Sequence, residues 1–211
     1  CGAFTYFAKE EPVYSVIEVV DFYETLGFDR GVSLDHIIFD REPQGTTKDE
    51  IVEGKRQLMK DHQRRFDLNH ANAEEFMYEV EKRKNPFIPV GAAHGWDSDS
   101  RKESFGILQD LGFQHISLGG MVRRPIGDVL EALEAISIIK KPSTQLHLLG
   151  ITKINHSKEY IARGVTSIDS TTPLRQSFMD EKDNYWIQGD RYTAIRIPQV
   201  DASPSLKRRI K

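Results

Sequence analysis

Gly164-Val-Thr-Ser-Ile-Asp-Ser-Thr-Thr-Pro-Leu-Arg175 decides how this chain is read. Gly164 closes one element, and the alternating run Val165 to Ile168 predicts a strand. Asp169 stands where that strand ends, and Pro173 opens the helix that follows, over Pro173 to Met179. In β/α proteins a polar residue at the junction of strand and loop lies on the rim that carries catalysis. A carboxylate there can be a nucleophile, an acid/base, a metal ligand, or a cap for the next helix, since Asp and Ser are preferred N-caps. The other strand ends of the chain repeat the arrangement, which favours a site.

Working outward, apolar residues at helical spacing predict a helix from Val13 to Leu26, stopped by Gly27. Gly31 to Phe39 reads as a strand with Asp35 near its end, and the polar stretch Arg41 to Thr47 as a loop. Lys48 to Arg65 is a charged amphipathic helix, and Asn69 or Asn72 can cap a second one, Ala73 to Arg83. Pro86 to Ala93 is a strand ending at His94-Gly-Trp96. A helix over Ser100 to Leu111 ends at Gly112, and Gln114 to Gly120 is a strand ending on paired glycines. Pro125 opens the helix Ile126 to Ile139, Leu146 to Gly150 is a strand, and Ser157 to Arg163 is a short helix. The tail from Arg191 alternates, then turns polar and basic over 198–211. Cys1 to Tyr6 reads as a strand end entering a loop.

Strand and helix alternate throughout, which means an α/β fold with a parallel sheet. A doubly wound sheet and a (β/α)₈ barrel both fit. With about five strand–helix units and a remnant at Cys1, the expectation is a single barrel domain over 1–211 with one or two N-terminal units missing, or a smaller open sheet. Neither Gly-x-Gly-x-x-Gly nor a Walker A sequence occurs. The single cysteine excludes an internal disulfide and a multi-cysteine zinc site within these residues, which points to the cytoplasm. No apolar run approaches the roughly 20 residues of a membrane span. A net charge of −3 offers no general attraction for nucleic acid, so any such binding must rest on local cations.

Asp35, His94, Gly119-Gly120, Gly150 and Asp169 all fall at expected C-terminal strand ends. Paired glycines expose backbone and let a flat ligand approach closely; the plain alternative is a tight turn. His115 and His147 begin their strands, so they are expected at the opposite, stability face and are discounted. No pair of histidines or carboxylates has convincing metal-ligand spacing. Arg123 and Arg124 follow the glycine pair and Arg175 follows Asp169, so these three can meet phosphates. The other basic pairs read as solvated helix ends.

Together these residues resemble the tRNA-guanine transglycosylase family, (β/α)₈ barrels that replace guanine in a nucleic acid with a 7-deazaguanine. Cys1-Gly-Ala-Phe-Thr resembles the family's Asp-Ser-Gly-Gly-Phe-Gln, and Asp35 falls on its base-recognising aspartate. His94-Gly95 stands where the family has Gln-Gly, Leu118-Gly-Gly-Met121 resembles Gly-Gly-Leu, and Leu148-Leu-Gly150 resembles Leu-Met-Gly. Ser167-Ile-Asp-Ser-Thr-Thr-Pro-Leu-Arg175 resembles Phe-Asp-Cys-x-x-Pro-Thr-Arg, which puts the nucleophile at Asp169. Cys-Gly-Ala-Phe, Val-Ser-Leu-Asp-His and Ser-Ile-Asp-Ser are closer in wording to the branch that inserts 7-deazaguanines into DNA. The family's general acid/base aspartate falls immediately before Cys1, and its zinc site of three cysteines and one histidine is not present in these residues; no other cofactor is expected.

The resemblance implies a two-step exchange through a covalent aspartyl–nucleotide at Asp169. Asp35, His94, Gly119, Gly120, Met121 and Gly150 then contact the base, with Phe4 and Leu149 sandwiching its ring. The partners implied are DNA, favoured over tRNA, a free 7-deazapurine and the proteins of a modification cluster. A glycosidase using two carboxylates, and a non-catalytic base-binding protein on the same fold, are the alternatives.

Overall fold

The computed structural model describes residues 14–38, 47–122, 124–151, 153–179, 182–187 and 190–193. Phe4 and the Cys1 to Tyr6 strand end, Arg123, and the basic tail lie outside them. The chain divides into two compact units, Cys1–Asp169 and Ser170–Lys211.

The first unit opens with α1, Val16–Thr25, set by a capping box in which Ser15 and Glu18 satisfy each other's backbone N–H. Gly27, at φ +66°, lets the chain turn back into β1, Arg30–Val32. Helix α2, Lys48–Lys82, follows, then β2, Ile88–Ala93, α3, Ser98–Asp110, and β3, His115–Leu118. Helix α4, Ile126–Ser137, begins after Pro125, and β4, Gln145–Leu148, a 3₁₀ turn, α5, Ser157–Ala162, and β5, Val165–Ile168, complete the unit.

Five strands form one sheet in the order β1-β2-β3-β4-β5, every adjacent pair parallel. Each strand lies beside its successor in sequence, as in the wall of a β/α barrel. A doubly wound sheet reverses its order at a switch point, and the described strands contain no such reversal. The expectation of a mixed α/β chain built on a parallel sheet holds, and the sheet is compatible with part of a barrel. Phe76 of α2, Phe105 and Leu108 of α3, and Leu133 and Ile136 of α4 are fully buried and pack with Ile116, Leu118, Leu146 and Leu148 of the strands. Each such side chain contributes roughly 1.5 to 3 kcal/mol by leaving water. Among the described residues no helix is long and apolar enough to cross a membrane.

Two elements differ from expectation. The helices expected at Lys48 to Arg65 and Ala73 to Arg83 are one continuous helix of 35 residues, capped by Thr47 and Glu50. Asn69 and Asn72 lie inside it and are buried. Asn69 does not cap α2; its amide bonds another part of the chain and leaves the helix ladder intact. The strand expected over Gly31 to Phe39 is only Arg30–Val32. Beyond it Ser33 still follows β2, its N–H donating to the Val90 carbonyl at 2.8 Å while Ala92 N–H donates to its hydroxyl at 3.0 Å.

The second unit holds α6, Thr172–Met179, and an antiparallel hairpin of β6, Tyr185–Ile187, with β7, Asp190–Tyr192. Of the alternation expected from Arg191, Arg191 and Tyr192 fall in β7, and the positions from 194 on lie outside the described residues.

Candidate active site

Parallel strands deliver their C-terminal ends to one edge of the sheet. There the chain places Asp35 just past β1, His94 after β2, Gly119 and Gly120 after β3, Leu149 and Gly150 after β4, and Asp169 after β5. Backbone bonds continue the pairing along this edge. Gly119 N–H donates to Ala93 at 3.0 Å, Leu149 N–H to Leu118 at 3.1 Å, and Asp169 N–H to Leu148 at 3.3 Å.

Asp35 and His94 meet. His94 Nε2 lies 2.7 Å from Asp35 Oδ2, and each side chain is only 3% exposed. A carboxylate so far from water needs such a partner, because an unpaired buried charge is strongly disfavoured. The pair is braced from behind. Asn69 of α2 takes the His36 N–H on its Oδ1 at 2.5 Å and donates its amide to the His36 carbonyl at 2.9 Å. Thus the residue after Asp35 is held at both of its backbone polar groups by one helical side chain. His94 N–H donates to Ser104 Oγ of α3 at 3.3 Å, and His70 Nε2 of α2 lies 3.0 Å from the same hydroxyl. Burial pushes the His70 imidazole below its usual titration range. His36 is lowered by burial first and then by the charges of Arg65 and Arg64.

The glycine pair shapes the space beside His94. A methyl group on Gly119 would overlap the His94 ring, so only glycine admits the imidazole there. Gly120 sits at φ +75°, a turn that glycine adopts without strain. The Met121 side chain is wholly buried in the core, and its carbonyl accepts the Arg124 N–H at 3.2 Å.

Asp169 stands apart from that buried pair in character. Its side chain is 55% exposed, and Oδ1 accepts the Gly150 N–H at 2.5 Å. The first turn of α6 takes a hydroxyl, with Thr172 N–H donating to Ser170 Oγ at 3.2 Å. Asp169 is therefore bound to the loop after the neighbouring strand, and the capping alternative is met by Ser170.

His147, discounted as facing the stability end, belongs to this site. Its Nε2 lies 3.3 Å from Asp169 Oδ1, and its Nδ1 lies 2.8 Å from Ser167 Oγ. A strand beginning at Leu146 would put it near the start, but β4 runs Gln145–Leu148 and puts His147 next to its C-terminal end; a bulge in β5 then sets what it faces. Leu146 pairs with Val165, but His147 pairs with Ser167, so Thr166 is the extra residue. Residues two apart on a strand share a face, so pairing with Ser167 puts His147 on the face of Asp169. Regular pairing with Thr166 would have put the two on opposite faces. The Thr166 hydroxyl donates to the Leu146 carbonyl at 2.9 Å and satisfies the group that the bulge leaves. Two adjacent outward-facing residues in a strand, Thr166 and Ser167, were the only signal of it.

The candidate phosphate ligands separate. The Arg124 side chain is 14% exposed, donates to the Trp96 carbonyl at 3.1 Å and lies 3.7 Å from Asp128. Trp96 in turn stacks on His62 at 5.8 Å. Lys153 Nζ donates to the Arg124 carbonyl at 2.5 Å. Arg175 lies in the second unit, on α6, and is exposed.

A zinc site of the kind the resemblance implies needs cysteine and histidine after the nucleophile; residues 170–211 contain neither, so they do not make that site. Among the described residues no cluster of three His, Cys, Asp or Glu side chains can hold a metal ion.

No family model matches the chain. A DNA-guanine transglycosylase from Salmonella montevideo is 46% identical to it over 212 residues, covering 100% of this chain and 49% of that protein. The chain thus spans about half the length of this relative. Identity at that level, sustained over the whole of this chain, is common descent and not a shared motif, and it agrees with the resemblance to the tRNA-guanine transglycosylase family read from the motifs.

Proposed function

We propose that this chain carries the catalytic face of an enzyme that exchanges guanine in DNA for a 7-deazaguanine on a (β/α)₈ barrel. The observation that supports it most is the exposed carboxylate of Asp169 at the end of β5, on the same sheet edge as the buried Asp35–His94 pair. One carboxylate is open to a substrate and the other is enclosed, and the two suit different tasks.

Asp169 is the nucleophile in this reading. A carboxylate oxygen attacks C1′ of the target nucleotide, the C1′–O bond forms, and the C1′–N9 bond breaks. Guanine leaves with the bonding electrons and takes a proton from a general acid. A 7-deazaguanine that has lost a proton then attacks C1′, and the carboxylate leaves with its electrons. Asp35 accepts hydrogen bonds from the donor edge of the base while His94 keeps it in place. Gly119 and Gly120 let the flat ring approach the backbone, and Leu149 packs on its face. The target nucleotide must leave the duplex stack to reach the rim, at a cost of a few kcal/mol. Arg175 and Arg123 are the candidates for its flanking phosphates. Arg124 is the weaker candidate, since its guanidinium is already engaged by Trp96 and Asp128.

The test is exchange of radiolabelled guanine into duplex DNA by the full-length enzyme, with Asp169→Asn as the variant. Exchange should be abolished with the urea midpoint unchanged, since an exposed rim carboxylate contributes within about 1 kcal/mol to stability. Undiminished exchange by the variant would refute the reading.

A further inference from the structure

We propose that His147 is a positioning residue for Asp169, holding one carboxylate oxygen so that the other attacks; the inference rests on the reading of Asp169 as the nucleophile. Among the described residues the Asp169 carboxylate has two contacts, and both fall on the same atom. Gly150 N–H donates to Oδ1 at 2.5 Å, and His147 Nε2 lies 3.3 Å from Oδ1. Among the described residues no donor reaches Oδ2. The carboxylate is therefore divided into an anchored oxygen and an attacking one.

Asp169 Oδ1 can only accept, so the tautomer of His147 that suits the contact carries its proton on Nε2. Ser167 Oγ, 2.8 Å from Nδ1, then donates to that nitrogen. Contacts of this kind are long in the absence of substrate and shorten once it is bound. The Thr166 bulge is what turns His147 to this face, at the rim position where bulges re-aim side chains.

The arrangement acts most on the second half of the exchange. Once Oδ2 is bonded to C1′, Oδ1 is the carbonyl oxygen of the ester. When the incoming base displaces the carboxylate, the electron pair of the C1′–O bond returns to it. Two N–H groups on Oδ1 stabilise that returning charge. Without His147 the covalent intermediate should form and then persist.

The experiment uses the full-length enzyme, duplex DNA and radiolabelled guanine, with a denaturing quench to trap protein–DNA adducts. His147→Phe should lower the exchange kcat about tenfold, the effect of losing about 1.4 kcal/mol of transition-state stabilisation, and should raise the trapped fraction during turnover. The KM for guanine should change less than twofold. His147→Gln, which can still present an N–H to Oδ1, should restore most of the rate. Wild-type kcat and adduct levels in His147→Phe would overturn the proposal, as would a Gln variant no better than Phe. If Asp169→Asn still exchanged guanine, the nucleophile would be misassigned and this proposal would fall with it. Loss of adduct in Asp169→Asn, with His147→Phe behaving as wild type, would overturn the role of His147 alone.

Discussion

Gly119→Ala should damage the site, and the reason is local. The added methyl would overlap the His94 imidazole, which is held between the glycine backbone and Asp35. His94 is 3% exposed and its Nε2–Asp35 contact is 2.7 Å, so the ring has no open space to enter. Either the ring leaves the carboxylate or the β3 loop moves. The first loses a buried hydrogen bond to a charged group, about 1.5 to 3 kcal/mol; the second is overpacking, about 1 to 3 kcal/mol. Either route costs roughly 1 to 3 kcal/mol. Urea denaturation of the full-length protein would read this, and titration with guanine would show weakened binding because Asp35 loses its brace. A double-mutant cycle isolates the cause. His94→Ala removes the ring that the methyl strikes, so Gly119→Ala placed on that background should cost at least about 1 kcal/mol less than on wild type. Equal costs on both backgrounds would refute the steric argument, and an unchanged urea midpoint in the single variant would refute it outright.

Asn69→Ala should destabilise the protein by about 2 to 4 kcal/mol, because it strips both partners from the buried His36 backbone groups; urea titration checks the magnitude, and Asn69→Asp, which cannot donate to the carbonyl, should recover only part of it. Stability should also fall as the pH drops from about 7 towards about 5.5. His36 and His70 are lowered in the fold, so the unfolded chain binds their protons first, near pH 6.5, and the stabilisation present above that value is lost. His70→Gln should flatten the pH dependence of the urea midpoint, and an unchanged slope would remove His70 from the account.

The strand ends were legible because the residues that mark them are local. Gly112, Gly120, Gly150 and Gly164 each adopt positive φ where an element stops, and each rim residue stands a fixed step from such a glycine or from the end of an apolar run. Helix α2 was misread for an equally local reason. Asn is a preferred cap, but the amide of Asn69 serves the backbone of His36, 33 residues away in sequence, and no local rule holds that information. His147 was misplaced because the expected strand, Leu146 to Gly150, lies later than β4, Gln145–Leu148, which ends one residue after His147. Arg124 read as a free cation on the rim, and only the fold reveals Trp96 and Asp128 as its partners. For Asn69 and for the Trp96 partner of Arg124, what is missing from the sequence is a contact between distant segments.

The continuity of α2 has a consequence for how insertions would be tolerated. Each residue added to a helix rotates everything beyond it by about 100°, since a turn takes 3.6 residues. The part of α2 before His62 is largely solvent-facing, so an extra residue there would swing only hydrated side chains round the axis. Between Asn69 and Phe76 the same single insertion has no harmless direction. Asn69 must face the Asp35 loop while Phe76 lies at 0% exposure in the core, and one added residue forces one of the two off its target. A helix that reads as scaffold is therefore a spacer of set length between the core and the candidate base pocket. Length change, more than residue change, is the kind of variation this stretch can least absorb.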